Sequence, residues 1–440
     1  MNSYKFTLKQ YKAIAEANIE LNGITVLAGE NGAGKSTITR WLYYLVEAIA
    51  NYERYAYKDM RREIYALLRE YRMGLRDSRM VSESNFDIRI SRWNYIAKSV
   101  DYTTDEEVKR IIFDAKEIIS RVAEYIQNDI NGKGRVSNRL ARVLTYLELD
   151  ENSFSRESFI EQNFNKIDAY YKEFEDKIKT RTKESLFEYI SQHYEIPLKI
   201  QKDTTIQLVE DRVPIIEKSS VGHLIGLQRA IYIDTPMALG VDVIGNQLWD
   251  NLTALLEERE DVVLPASARK MQMRLQRIIH GSVMMKEEDF DTDLHYVRED
   301  ELDIPLIEAA TGIKSFAYII RLLENGYLDK NTLLIIDEPE AHLHPQWIVE
   351  YARILVLLAK EIGVRVLIAS HNPDMVSAIQ SIGRKEGLEA AITFYQAQPS
   401  LNNPFEYVYK NLGIEITEIF KSFNIALSRI QDYGTVVNNQ

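Results

Sequence analysis

The chain has 440 residues, more than the roughly 250–300 that one core usually holds, so one head with large insertions or two compact parts are expected. It contains no cysteine, which excludes disulfides, thiolate catalysis and Cys-based zinc or iron–sulfur sites and suits a reducing cytosol. The net charge of −12 excludes a protein that is basic throughout and coats nucleic acid, though it leaves room for a local basic strip.

Met1–Gln10 has no apolar run of the kind that opens a secretory leader. The most apolar later stretch, Tyr351–Ser370, carries Arg353, Lys360, Glu361 and Arg365, so no membrane partner is expected and a cytoplasmic location is. Tyr4, Phe6 and Leu8 alternate as in a strand, Ala17–Leu21 reads as a second, and Ile24–Ala28 as a short buried third. The run Gly29-Glu30-Asn31-Gly32-Ala33-Gly34-Lys35-Ser36-Thr37 follows, and then Ile38, Trp41, Leu42, Leu45 and Ile49 recur at helical spacing. Residues 1–50 are thus the N-terminal part of a head: strand, glycine loop, helix.

Residues 51–192 become helical, polar and rich in Glu, Lys, Arg and Tyr, without a proline. Their apolar positions hold no long heptad, so they read as a helical insertion, not an extended coiled coil. In 193–238 strands return to the head at Leu198–Ile200, Thr205–Val209 and Ile231–Ile233, and 239–290 reads as a second helical insertion. Residues 291–400 form the C-terminal part of the head. A hairpin is expected at His295–Val297 and Ile304–Ile307, a helix from about Ala309 to Glu324, a strand at Leu333–Ile336, a helix at Trp347–Lys360 and a strand at Val364–Ala369. Residues 401–440 are expected to form a tail helix around Ile416–Gln431.

Four segments carry chemistry. In Gly29–Ser36 the spacing GxxxxGK[ST] lets backbone amides surround one phosphate chain at a helix N-terminus. Lys35 would neutralise the β- and γ-phosphates, Ser36 would ligate Mg²⁺, and Thr37 would touch the α-phosphate of ATP. Leu333–Ile336 ends in Asp337 and Glu338, which places two carboxylates at the tip of an apolar strand. Asp337 would support the metal through water and Glu338 would orient or deprotonate the attacking water; taken alone, the pair equally suits an acidic helix cap. His371 lies just past the next strand, where it could donate to the γ-phosphate. Thr311, Gly312, Lys314 and Ser315 open a helix as a further anion site, with Lys314 as a mobile cation; an ordinary cap is the plainer alternative.

In this order the four segments resemble the ATP-binding-cassette class of P-loop ATPases: an α/β head with a mixed central sheet, a small antiparallel lobe and, here, large helical insertions. Gly29–Ser36 matches its Walker A, Leu333–Glu338 its Walker B with catalytic Glu, and His371 its switch histidine. Thr311–Ser315 lies where that class carries LSGGQ, but Thr311, Ile313 and Lys314 depart from it. The stretch Asp337–Pro345 is similar instead to heads of the OLD, SMC and RecF-like branch. The resemblance implies ATP and Mg²⁺ as cofactors and a homodimer or higher homo-oligomer with composite sites. Only 69 residues follow His371 and hold no carboxylate cluster, so a nuclease would be a separate protein, as in the PARIS-type and Septu-type phage-defence systems that this arrangement is similar to. A DNA-repair or DNA-clamping ATPase is the alternative, and a transporter ATPase fits the altered LSGGQ segment less well.

Two basic strips are candidates for DNA contact. Arg54, Lys58, Arg61, Arg62, Arg69, Arg72, Arg76 and Arg79 lie among tyrosines, although a solvated helix laced with ion pairs is the plainer reading. Arg269, Lys270, Arg274 and Arg277 share one helix face that suits partner docking as well. Gln228, before the Ile231 strand, is a candidate Q-loop residue.

Overall fold

In the computed structural model, residues 2–75, 86–99, 105–133, 154–198, 200–234, 247–257, 263–288, 291–341 and 343–421 are described. The chain divides into two compact units, 1–50 with 186–440, and 51–185.

The chain opens with β1 (Tyr4–Tyr11), β2 (Ile14–Leu21), β3 (Ile24–Ala28) and α1 (Lys35–Ala50). Helices α2 (Tyr52–Leu75), α3 (Phe86–Ser99), α4 (Asp105–Lys133), α5 (Arg156–Thr180) and α6 (Lys183–His193) follow. Next come β4 (Thr205–Glu210), β5 (Val213–Pro214), β6 (Arg229–Ile233), α7 (Gln247–Glu257) and α8 (Ala266–Ile279). Then β7 (Gly281–Glu288), β8 (Asp291–Arg298), β9 (Asp303–Pro305), α9 (Thr311–Glu324) and β10 (Thr332–Asp337). Last are α10 (Pro345–Leu357), β11 (Arg365–Ser370), α11 (Pro373–Lys385), β12 (Ile392–Pro399) and β13 (Tyr407–Gly413).

The larger unit is built on one 10-stranded mixed sheet in the order β5-β4-β1-β2-β13-β12-β3-β11-β10-β6. From β12 to β6 neighbours run parallel, and β5, β4, β1 and β2 form an antiparallel wing joined to that block through β13. A separate three-stranded antiparallel sheet holds β7, β8 and β9. Every residue of β3, β10 and β11 is buried, as expected of parallel strands covered on both faces. Ile24, Val26, Leu334, Ile336, Val366 and Ile368 face a core shared with α7 to α11. Helix α1 packs on β6, β10 and β11. The fold is therefore α/β, a mixed central sheet covered by helices with a small separate antiparallel sheet, as the sequence reading expects.

The 51–185 unit is helical. On α2 the residues Tyr52, Ala56, Met60, Ile64, Leu67, Leu68 and Tyr71 are buried at helical spacing, and α2 packs on α5. Tyr71 donates to Asn163 inside that seam.

Four local expectations are corrected. Residues 281–288 form β7, because a full ladder with β8 overrides the helix preference of a Met-, Lys- and Glu-containing segment. Tyr407–Gly413, inside the 401–440 tail, is a strand held between β12 and β2; helix begins at Thr417, beside the expected Ile416, and the stretch past residue 421 lies outside the described residues. Leu198 and Ile200 are not in a strand: the ladder of β4 with β1 begins only at Thr205, after a turn that the Thr204 amide closes on the Gln201 carbonyl. Gln228 precedes β6, and its amide donates to the Asn331 carbonyl at the N-terminal edge of the parallel block, so it faces the end of the sheet opposite Asp337.

Candidate functional site

Neighbouring strands deliver the glycine-loop and acidic-strand residues to one edge. In the β3–β11 ladder Ala28 stands opposite Ser370, and in the β11–β10 ladder Ala369 stands opposite Asp337. Gly29 therefore starts the glycine loop beside His371, which follows Ser370, and beside Glu338, which follows Asp337. This is the C-terminal edge of a parallel sheet, where ligands of such folds bind.

The loop Gly29–Gly34 enters α1 through two glycines in left-handed conformation, Gly32 at φ 84° and Gly34 at φ 89°. A side chain on Gly34 would also come within 2.8 Å of Ile14 Cγ1. Gly34→Ala is expected to strain the loop by about 1–3 kcal/mol and to weaken ATP binding about tenfold or more, read by titration calorimetry. Ile14→Ala in the same chain removes Cγ1 and should relieve the clash but not the backbone strain, so only part of the affinity should return.

Lys35 folds back over the loop, donating to the carbonyls of Gly29 at 2.9 Å and Glu30 at 3.1 Å. It is 6% exposed, and burial lowers its pKa while Asp337, Glu338 and Glu340 pull it back up. Its ammonium thus already feels the acidic strand. Glu30 and Asn31 are exposed at the loop's crest, Ala33 is buried, and the Thr37 amide donates to the Gly34 carbonyl at 3.1 Å.

Asp337 is buried, and desolvation raises its pKa, opposed by the nearby Ser36 and Tyr232 hydroxyls. Tyr232 donates to Oδ2 at 3.0 Å, whereas Oδ1 has no hydrogen-bond partner among the described residues. A buried carboxylate oxygen without a donor, with the Ser36 hydroxyl beside it, fits a hard divalent cation. Glu338 has its side chain about half exposed and its backbone at φ 53°, an uncommon value for a non-glycine residue. Its amide is anchored on the Ala369 carbonyl at 2.8 Å. His371 Nδ1 lies 3.5 Å from Glu338 Oε1 and 3.5 Å from Glu340 Oε1.

Thr311–Ser315 forms the first turn of α9, capped by no side chain. Its surroundings are Trp347, Leu343 and Ile307, not the glycine loop: Gly312 lies so close to Trp347 that a Cβ would come within 3.0 Å of the ring. Lys314 is not a mobile cation; it is buried and donates to the Ile307 carbonyl at 2.6 Å, and burial lowers its pKa. Ser315 Oγ donates to the Thr311 carbonyl at 3.2 Å.

Three contributors escape a reading of sequence alone. Tyr232 supports Asp337, Tyr409 donates to the Ala33 carbonyl at 3.0 Å from beneath the loop, and Glu340 joins Ser370 to His371. Only Glu340 had an outward signal, its place in the acidic stretch after β10. Both basic strips are partly neutralised: Arg274 pairs with Glu361 at 2.7 Å, and Arg62 lies 3.5 Å from Asp59. Arg76 and Arg79 lie outside the described residues. Among the described residues no helix is long and apolar enough to cross a membrane.

The AAA ATPase domain family matches residues 83–376. Solved structures are similar at low identity. The Smc head domain of Pyrococcus furiosus, with an extended coiled coil and bound to the C-terminal domain of ScpA, is 11% identical; the match covers 98% of this chain and 100% of that one, with a TM-score of 0.35. The SMC head domain of Thermotoga maritima is 10% identical over 94% and 100%, with a TM-score of 0.35. An ATP-binding cassette of an ABC transporter in its ADP conformation is 10% identical over 96% and 98%, with a TM-score of 0.33. No curated protein matches this sequence.

Proposed function

Because the chain belongs to the AAA ATPase domain family, we propose that it binds and hydrolyses ATP with Mg²⁺ between two copies assembled head to tail, ATP closing the pair and hydrolysis releasing it. The observation that supports this most is the shared edge of β3, β11 and β10, which brings the glycine loop, Asp337–Glu338 and His371 together. The amides of the Gly29–Thr37 segment and the Lys35 ammonium bind the phosphates. Ser36 and Asp337 Oδ1 would hold Mg²⁺, which supplies charge neutralisation of the triphosphate. Glu338 accepts the proton of the attacking water as its oxygen bonds to the γ-phosphorus and the bond to the β-phosphate oxygen breaks, leaving ADP and phosphate. His371 donates to the γ-phosphate. The α9 amides at Thr311 and Gly312, with Ser315, complete the neighbour's site, and buried Lys314 supports that turn from within.

For its biological output we propose a cytoplasmic sensor or scaffold subunit working with a separately encoded effector such as a nuclease, of the kind found in phage defence. The ion pairs within both basic strips favour a protein partner over direct DNA contact. Hydrolysis by the purified chain, measured with and without duplex DNA, tests both parts. Turnover that needs Mg²⁺ and is little changed by DNA is expected. No turnover would end the ATPase reading, and strong stimulation by DNA ends alone would favour the DNA-clamping alternative.

A further inference from the structure

Glu340 is a carboxylate that the hydrolytic scheme above does not use. Its side chain is 5% exposed, against 47% for Glu338, and burial raises its pKa. One oxygen gathers several groups: Oε1 accepts from Ser370 Oγ at 2.8 Å and from the His371 amide at 3.1 Å, and lies 3.5 Å from His371 Nδ1. The other, Oε2, is buried with no hydrogen-bond partner among the described residues. The turn that brings it there is built locally, since the left-handed Glu338 and the rigid Pro339 reverse the chain and the Ala341 amide closes onto the Glu338 carbonyl at 2.9 Å.

Burying a carboxylate is costly, and an amide could accept the two hydrogen bonds from Ser370 and His371 N–H as well. What the charge adds is directed at the ring. Nδ1 faces two carboxylate oxygens, Glu338 Oε1 and Glu340 Oε1, at equal distance. A lone pair there would be repelled, so Nδ1 carries a proton, and the partner of one ring nitrogen sets what the other presents. Glu338 is too exposed to fix the ring by itself and is needed for water. We propose that Glu340 is the positioning residue for His371: it anchors the backbone at the end of β11 and holds Nδ1–H inward, so that Nε2 is presented to the terminal phosphate of ATP. This rests on the ATPase reading of the site and deepens it.

The test is a double-mutant cycle on the full chain with Mg²⁺ and ATP, following kcat, KM and ATP affinity. His371→Ala should slow kcat about 100-fold. Glu340→Gln should slow it about 10–100-fold, the usual cost of losing the group that orients a working histidine, with KM and ATP affinity nearly unchanged. The double variant should be no slower than His371→Ala alone, because both changes remove one contribution. Glu340→Asp keeps the charge with a shorter reach; it should fold where Glu340→Gln does not, and should fall between wild type and Glu340→Gln. The proposal is overturned if either Glu340 variant keeps wild-type kcat while His371→Ala is slow, if the two losses multiply, or if KM rises with kcat intact. A wild-type chain that hydrolyses no ATP, or His371→Ala at full rate, overturns the reading of the site itself and this inference with it.

Discussion

Lys35→Ala is expected to weaken ATP binding at least about 100-fold, since a charge-assisted hydrogen bond to phosphate contributes about 1.5–3 kcal/mol and a lysine makes more than one. The free chain should not suffer comparably. Lys35 is buried, and its ammonium is held by two loop carbonyls, Gly29 and Glu30, while desolvation opposes its charge. Removing it relieves that desolvation while freeing the loop, so the melting temperature without nucleotide should stay close to wild type. Calorimetric titration with ATP reads the first quantity and a thermal melt the second. Intact ATP binding in a folded variant would show that the glycine loop does not hold phosphates.

Glu338→Gln should preserve ATP binding and slow hydrolysis on the order of 10²–10⁴-fold, the usual contribution of a positioned general base. The substitution keeps size, and the backbone that places residue 338 does not depend on its side chain: the left-handed turn is closed by Ala341 and anchored on Ala369. It also removes one of three carboxylates that act on Lys35, so the affinity for a triphosphate should be equal or tighter. With ATP bound and not turned over, the closed assembly should accumulate, visible as a larger species by light scattering when Mg²⁺ and ATP are present. Wild-type turnover in this variant would remove Glu338 from the mechanism. Slow turnover without a larger species would retain the base and discard ATP-driven pairing.

The elements that carry the site were legible because each is a local pattern. Fully buried parallel strands leave short, mostly apolar runs, as in Ile24–Ala28 and Leu333–Ile336, and the glycine loop between strand and helix keeps its spacing in any context. The helical character of the 51–185 unit was legible from its proline-free composition rich in Glu, Lys and Arg. The strand at 281–288 was not, because it exists through its ladder with β8, and neither was Tyr407–Gly413, whose partners β12 and β2 are set by the sheet order.

By itself, then, the sequence determined which segments could meet a nucleotide: a glycine loop, an acidic strand tip and a histidine after a strand, each written in consecutive residues. Only the tertiary structure decided what surrounds them. It put Tyr409 under Ala33, 376 residues away along the chain, set Tyr232 on Asp337, turned Glu340 inward to Ser370 and His371, and buried Lys314 against Ile307. The physical reason is that hydrogen bonds and desolvation act through space. A side chain's partners and its charge state follow from which strands lie side by side, and no local pattern of residues encodes that adjacency.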